Sequence, residues 1–143
     1  MPYQYLDDIA TADIAFEAWE KTGEAMFIAA SDAVMNVMVE NLAAIENKEE
    51  RFISLQEETL ETLLFQFLQE FVYYKDSEQL LLRAGEVKIG LGAQPPTLTA
   101  RLYGERLDPL RHRLNVDVKA VTMHRFAVNQ TPRGWEATVV LDI

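Results

Sequence analysis

An α+β fold, a two-layer sandwich of two main helices on a mostly antiparallel sheet, is what this sequence predicts, and three observations carry it. Leu60, Leu63, Leu64, Phe67, Leu68 and Phe71 recur at i, i+3, i+4, i+7, i+8 and i+11, one continuous apolar stripe of helical period. The runs 80–84, 86–91, 97–107, 116–128 and 135–143 are rich in β-branched or alternating apolar residues, the pattern of strands. No internal repeat, low-complexity tract or Ser/Gly-rich linker divides the chain, so residues 1–143 are expected to form a single domain. Two amphipathic helices covering one antiparallel sheet satisfy all three.

The elements follow in order. Residues 3–6 and 13–20 read as short strands, the second placing Ile14, Phe16 and Ala18 on one face by period-two alternation. After the turn Lys21-Thr22-Gly23, Thr22 is placed to cap a helix running to about Glu40, with Glu24 in the first turn, where the helix dipole favours a carboxylate. Phe27, Val34, Met35 and Met38 are among its apolar positions. Glu46 to Glu50 is a polar, charge-rich connection, and Arg51 to Leu55 reads as a strand. The helix bearing the Leu60–Phe71 stripe comes next, with Glu61, Gln66 and Glu70 pointing elsewhere. In the second half Leu98, Ala100 and Leu102 alternate with Thr97, Thr99, Arg101 and Tyr103, a sheet with one face buried and the other wetter. Gln94-Pro95-Pro96 marks a turn, and Asn129 to Gly134, rich in turn formers, joins the last two strands as an antiparallel hairpin.

Composition narrows function. Thirteen Lys and Arg against 23 Asp and Glu leave a formal net charge of −10, and the pI is near 4.6. Binding a phosphate backbone needs a basic stripe that this composition can scarcely supply, so no direct nucleic-acid binding is expected, and a protein partner with a basic surface fits better. Hydrophobic residues at 49% and charged residues at 25% exclude a disordered or fibrous chain. The absence of cysteine removes disulfides, thiolate chemistry and sulfur-ligated metal sites together. The first residues lack the cationic and apolar regions of a secretory signal, and the longest uninterrupted apolar run, Ala25 to Ala30, is far short of the ~20 residues that cross a bilayer. A cytoplasmic location without membrane association is therefore expected.

Several chemistries lack a local signal. Gly85, Gly90 and Gly92 form neither a G-x-G-x-x-G nor a P-loop, and Ser31, Ser54 and Ser77 lie outside any G-x-S-x-G setting. His112 and His124 are candidates for acid–base work, although a single histidine in a strand or loop is more often a hydrogen-bonded structural residue. Carboxylates are plentiful and suit hard cations such as calcium, magnesium or manganese. Asp7 and Asp8 near Asp13, or Asp142 beside the terminal carboxylate of Ile143, are the candidate clusters. The chain stops at Val139-Val140-Leu141-Asp142-Ile143, an apolar strand with no trailing tail. Pinned in a sheet, Ile143 offers its main-chain carboxylate as a fixed second anion beside Asp142; unpinned, the terminus simply frays.

These residues together form a family pattern. Tyr3-Gln4-Tyr5-Leu6-Asp7, Thr11-Ala12-Asp13 with Ala18-Trp19, Lys21-Thr22 and Leu63-Leu64-Phe65-Gln66-Phe67-Leu68 come first. Gly104-Glu105, Asp108-Pro109-Leu110-Arg111-His112, Val118-Lys119-Ala120-Val121-Thr122-Met123-His124 and Leu141-Asp142-Ile143 follow. In order and spacing the chain resembles archease, a small protein that assists the RNA ligase of tRNA splicing. The resemblance implies a non-enzymatic activator of the ligase that joins RNA 3′-phosphate and 5′-hydroxyl ends using GTP and manganese. Such a protein promotes loading of guanylate onto the ligase's active-site histidine and allows repeated turnover. The resemblance further implies a divalent metal site, calcium foremost with manganese or magnesium as alternatives, built from Asp13, Asp142 and the terminal carboxylate of Ile143, and it marks Lys119 as a basic position for partner contact. The family reads His-Thr-Ala-Asp at the first acid where this chain has Ala10-Thr11-Ala12-Asp13, which leaves Asp8 as a neighbour for the missing histidine. Two rival classes are a metal-dependent hydrolase of phosphate esters using the same acids, and a metal-free binding module of the same fold.

Overall fold

The computed structural model describes residues 2–6, 13–92 and 94–143. Its elements are β1 (Tyr3–Leu6), β2 (Asp13–Glu20), α1 (Gly23–Met38), one 3-10 turn (Leu42–Ala44), β3 (Glu49–Gln56), α2 (Leu60–Glu78), β4 (Leu80–Gly90), β5 (Thr97–Arg106), β6 (Ala120–Thr131) and β7 (Gly134–Asp142). Threonines start both helices. Thr22 Oγ1 accepts the Ala25 N–H at 3.1 Å. Thr59 Oγ1 accepts the Thr62 N–H at 3.1 Å while Thr62 Oγ1 accepts the Thr59 N–H at 3.2 Å, a reciprocal cap that satisfies main-chain donors left over by the first turn. Gln79 ends α2 in the left-handed region at φ 55°, and β4 begins at once.

All strand pairs are antiparallel, in two sheets of order β1-β2-β7-β6 and β3-β5-β4. The class is the α+β one expected, with both helices on antiparallel sheets; the layering differs. α1 packs against β1, β2 and β7 of the first sheet and against β4 of the second, and α2 against β6 of the first and β3, β4 and β5 of the second. The helices therefore form a middle layer, and the sandwich has three layers where one sheet under two helices gives two. The physical reason lies in α1, which buries Met26, Phe27, Ala29, Ala30, Ala33, Val34, Met35 and Val37, positions that surround its axis. Small alanines let strands approach on two sides, and each side needs its own sheet. The ring of Phe67 stands 5.7 Å from that of Phe27 and 5.2 Å from that of Phe71, which joins the two helices inside the sandwich.

Several boundaries differ from those the sequence pattern predicts; β3, for one, begins at Glu49, inside the stretch expected to be a connection. Gly85 does not break the strand: it is the extra residue of a β-bulge between Ala84 and Glu86, and β4 runs through it. The strand expected from Val116 starts at Ala120, because residues 107–119 are held by side-chain and main-chain bonds outside either sheet. The last hairpin closes with Thr131 opposite Gly134, whose φ of +111° and approach to the Glu20 carbonyl leave no room for a side chain.

Candidate functional site

β2 and β7 lie side by side in the middle of the first sheet, and their register decides the site. Ile14 pairs with Leu141, Phe16 with Val139 and Ala18 with Ala137, and these pairs face the helices. By alternation the intervening residues face away, so Asp13 and Asp142, opposite each other at the end of the ladder, share the outer face. Both are half-buried. Residues far apart in the chain are thus made cross-strand neighbours, a separation at which side chains interact directly. On the other side of β7, Asp142 pairs with Ala120, and the Lys119 N–H donates to the Asp142 carbonyl at 2.8 Å. The Lys119 side chain is exposed. Ile143 packs its side chain against the core, which anchors the residue that follows Asp142.

Two carboxylates directly opposed on a sheet repel each other, and a cation between them removes that repulsion. Among the described residues, no group of three or more His, Cys, Asp or Glu side chains gathers in a metal-holding arrangement. Asp13 and Asp142 offer carboxylate oxygens, a donor type suited to hard cations. Asp7, Asp8 and Ala10 lie outside the described residues. A cleft of about 380 Å³ on the outer face of the second sheet, lined by Phe52, Ser54, Glu86, Lys88, Thr99 and Arg101 among others, includes neither aspartate.

The two histidines take different places. His124 is exposed on an irregular stretch of β6 between Thr122 and Ala127, its N–H donating to Thr122 Oγ1 at 3.3 Å. His112 is buried, and its ring state follows from its partners: Nδ1 accepts the Asp108 N–H at 2.9 Å, so Nε2 carries the hydrogen and donates to Glu105 Oε2 at 3.1 Å. Glu105 is buried as well, and it also accepts the Glu46 N–H at 2.7 Å and pairs with Arg111. Burial pushes this carboxyl up, yet the hydrogen bonds from Glu46, Arg111 and His112 outweigh it and hold it down at about 2. His112 is thereby a structural residue that ties the segment after β5 to the strand's end. Lys75 has the matching role on α2: buried, it donates to Asp117 at 2.6 Å and to the Val118 carbonyl at 2.9 Å. Burial works against its charge, and bonds to Asp117 and Asp76 more than restore it. Sequence reading had no signal for Lys75–Asp117, since nothing in the spacing joins the end of α2 to the approach to β6.

A family model described as the Archease protein family matches residues 3–143. The chain belongs to the archease family. The archease of Pyrococcus abyssi is 39% identical over 134 residues, 93% of this chain and 94% of that one. The archease of Methanopyrus kandleri is 31% identical over 143 residues, the whole of both chains. Among solved structures, a Methanobacterium thermoautotrophicum protein determined in solution superposes with a TM-score of 0.85 at 29% identity over 99% of each chain. A Thermotoga maritima crystal structure described as an archease, possible chaperone, shares the fold with a TM-score of 0.59 at 20% identity, over 96% of this chain and 97% of that one. Among the described residues of this archease chain, no helix is long and apolar enough to cross a membrane.

Proposed function

We propose that this chain is a cytoplasmic, non-enzymatic activator of the GTP-dependent RNA ligase that joins RNA 3′-phosphate and 5′-hydroxyl ends in tRNA splicing, promoting ligase guanylylation and multiple turnover. Membership of the archease family supports the reading, and one observation carries it: the register that sets Asp13 directly opposite Asp142. In this proposal Asp13, Asp142 and the main-chain carboxylate of Ile143 hold a divalent cation, calcium foremost, with manganese or magnesium as alternatives. When bound, such an ion supplies positive charge against phosphate oxygens. The chain's own contribution is positional: the β2–β7 ladder fixes the two carboxylates on one face, the packed Ile143 side chain holds the chain end, and Lys119, bonded through its N–H to Asp142, offers an exposed ammonium to the ligase. A surface of net charge −10 complements a basic RNA-binding groove and speeds encounter with it.

The test is ligase guanylylation and multiple-turnover joining, with ligase substoichiometric to RNA, in the presence of the wild-type chain, Asp13→Ala or Asp142→Ala. Each substitution is expected to cut the stimulation by about tenfold or more, as loss of one ligand from a small oxygen set does. Equal stimulation by all three proteins removes the acids from the mechanism. Appending residues after Ile143 displaces the carboxylate without touching a side chain, and cation affinity is expected to fall. Turnover of phosphate esters without ligase would favour the hydrolase reading instead; a flat cation titration with no ligase response would favour a metal-free binding module.

A further inference from the structure

Lys75, in the last turn of α2, keeps only 8% of its surface exposed. Met38, Leu81 and Leu107 line the cavity of about 190 Å³ beside it, apolar neighbours that suit an apolar side chain. Burying an ammonium there costs free energy that its bonds must offset. All three of its donors are taken: by Asp76, by Asp117 at 2.6 Å and by the Val118 carbonyl at 2.9 Å. An ammonium with no free donor is not available to hold a ligand, so its effect lies in what it fixes.

What Lys75 fixes is one end of a single peptide unit. The Val118 carbonyl and the Lys119 N–H belong to the same planar group. The carbonyl accepts from Lys75, and the N–H donates to the Asp142 carbonyl at 2.8 Å. With both ends bonded, the plane cannot turn without breaking one of the two bonds, so α2 sets the direction in which Lys119 leaves this peptide. The positive charge at the carbonyl also polarises the unit and strengthens its N–H as a donor to Asp142. Gln69 adds a second hold, its Oε1 accepting the Val121 N–H at 3.2 Å. From Gln69 to Lys75 the helix rises about 9 Å, and from Val118 to Val121 the chain spans up to about 10 Å, so one helix reaches both points. Between the two holds lies Ala120, the ladder partner of Asp142. Burial alone does not call for these bonds, because Val118 and Val121 already place their side chains in the core.

We propose that Lys75 is a positioning residue of the activator: through the Val118–Lys119 peptide it aims the exposed Lys119 ammonium at the ligase and steadies Asp142 for the cation. The proposal rests on the ligase reading above and deepens it, adding α2 to the β2–β7 ladder as a support of the site. Coupling through this unit runs both ways, so a cation on Asp142 alters the surroundings of Lys75.

The experiment compares the wild-type chain with Lys75→Met, Lys75→Arg and Asp32→Asn by hydrogen exchange of the Lys119 amide, melting temperature and stimulation of ligase guanylylation. Asp32→Asn weakens the Asp32–Arg83 pair, which joins α1 to β4 near Tyr3, at the edge of the first sheet opposite β6. It is the control for a general loss of stability: its melting temperature is expected to fall while Lys119 exchange and stimulation stay within about twofold of wild type. Lys75→Met keeps an apolar side chain of similar length and no donor. It is expected to speed Lys119 exchange about tenfold or more and to cut stimulation by a similar factor, as loss of an outer support of a metal site does. Lys75→Arg retains a cation with N–H donors for the Val118 carbonyl and is expected to regain most of both. Full stimulation by Lys75→Met, or reduced stimulation with Lys119 exchange unchanged, overturns this proposal alone. Failure of the wild-type chain itself to stimulate the ligase overturns the underlying reading and this proposal with it. In the wild-type protein calcium is expected to shift the Lys75 ammonium resonance, a measurement that stands even where Lys75→Met does not fold. Shifts confined to β2 and β7 overturn the proposal, and no shift anywhere overturns the cation reading as well.

Discussion

Glu105 shows how one side chain sets both stability and its pH dependence. Its carboxylate receives the Glu46 N–H, His112 and Arg111 in a buried position, and its carboxyl is held at about 2. The folded state thus keeps a carboxylate that the unfolded chain protonates at higher pH, so its contribution is complete above the ordinary carboxylate range and is lost as pH falls from about 4.5 towards 2. Urea midpoints measured across that window are expected to drop for the wild type and to vary less for Glu105→Gln. Near neutral pH that variant is expected to be less stable by about 2 to 4 kcal/mol, because the guanidinium and imidazole lose a charged partner. Residues of this kind were only half legible. Gly104-Glu105 and Asp108 to His112 were visible as pieces of a family pattern, but that His112 meets Glu105 inside the molecule depends on a chain reversal after β5 that no residue periodicity announces. Asp13 and Asp142 were in the same position: named by the resemblance, and made neighbours only by the β2–β7 register.

At the scale of elements, legibility followed the strength of the local pattern. The stripe from Leu60 to Phe71 became α2, whose buried face is Leu63, Leu64, Phe67, Leu68, Phe71 and Val72. The alternation from Thr97 became β5, with Leu98, Ala100 and Leu102 buried. Where pattern failed, a competing interaction explains it. Val116 looks like a strand residue, but its main-chain bond to Val37 at the end of α1 claims it before a ladder can form. Gly85 looks like a break, but a bulge absorbs it. Gly104 carries a constraint that composition hides: a Cβ there would sit 1.8 Å from the Leu81 carbonyl oxygen, main chain against main chain. The β4 and β5 strands must separate to admit it. Gly104→Ala is therefore expected to destabilise the fold by about 3 kcal/mol or more, read as a lower urea midpoint, while an exposed change such as Lys88→Ala costs under about 0.5 kcal/mol.

The whole molecule holds what the sequence could not display. Alternation says that a strand has a buried face, not which strands join, so one sheet and two sheets were indistinguishable until α1 proved buried on nearly every side. The same closure brings an early strand and the last strand together at the centre of the first sheet, and with them two like charges. That arrangement makes a prediction for the global stability. Without divalent cation, Asp13 and Asp142 repel across the ladder at a cost of up to about 1 kcal/mol, so Asp142→Asn is expected to melt at or slightly above the wild-type temperature. Under the cation site proposed above, calcium is expected to reverse the order. Binding to the folded chain alone adds RT ln(1 + [L]/Kd), about 2.7 kcal/mol at a hundredfold excess over Kd, and for a domain of this size that raises the wild-type melting temperature by roughly 5 to 12 °C while Asp142→Asn gains little. The crossing of the two melting temperatures is the decisive readout, because a merely structural aspartate gives a fixed difference at every calcium concentration. Parallel shifts in both proteins would place the ion elsewhere.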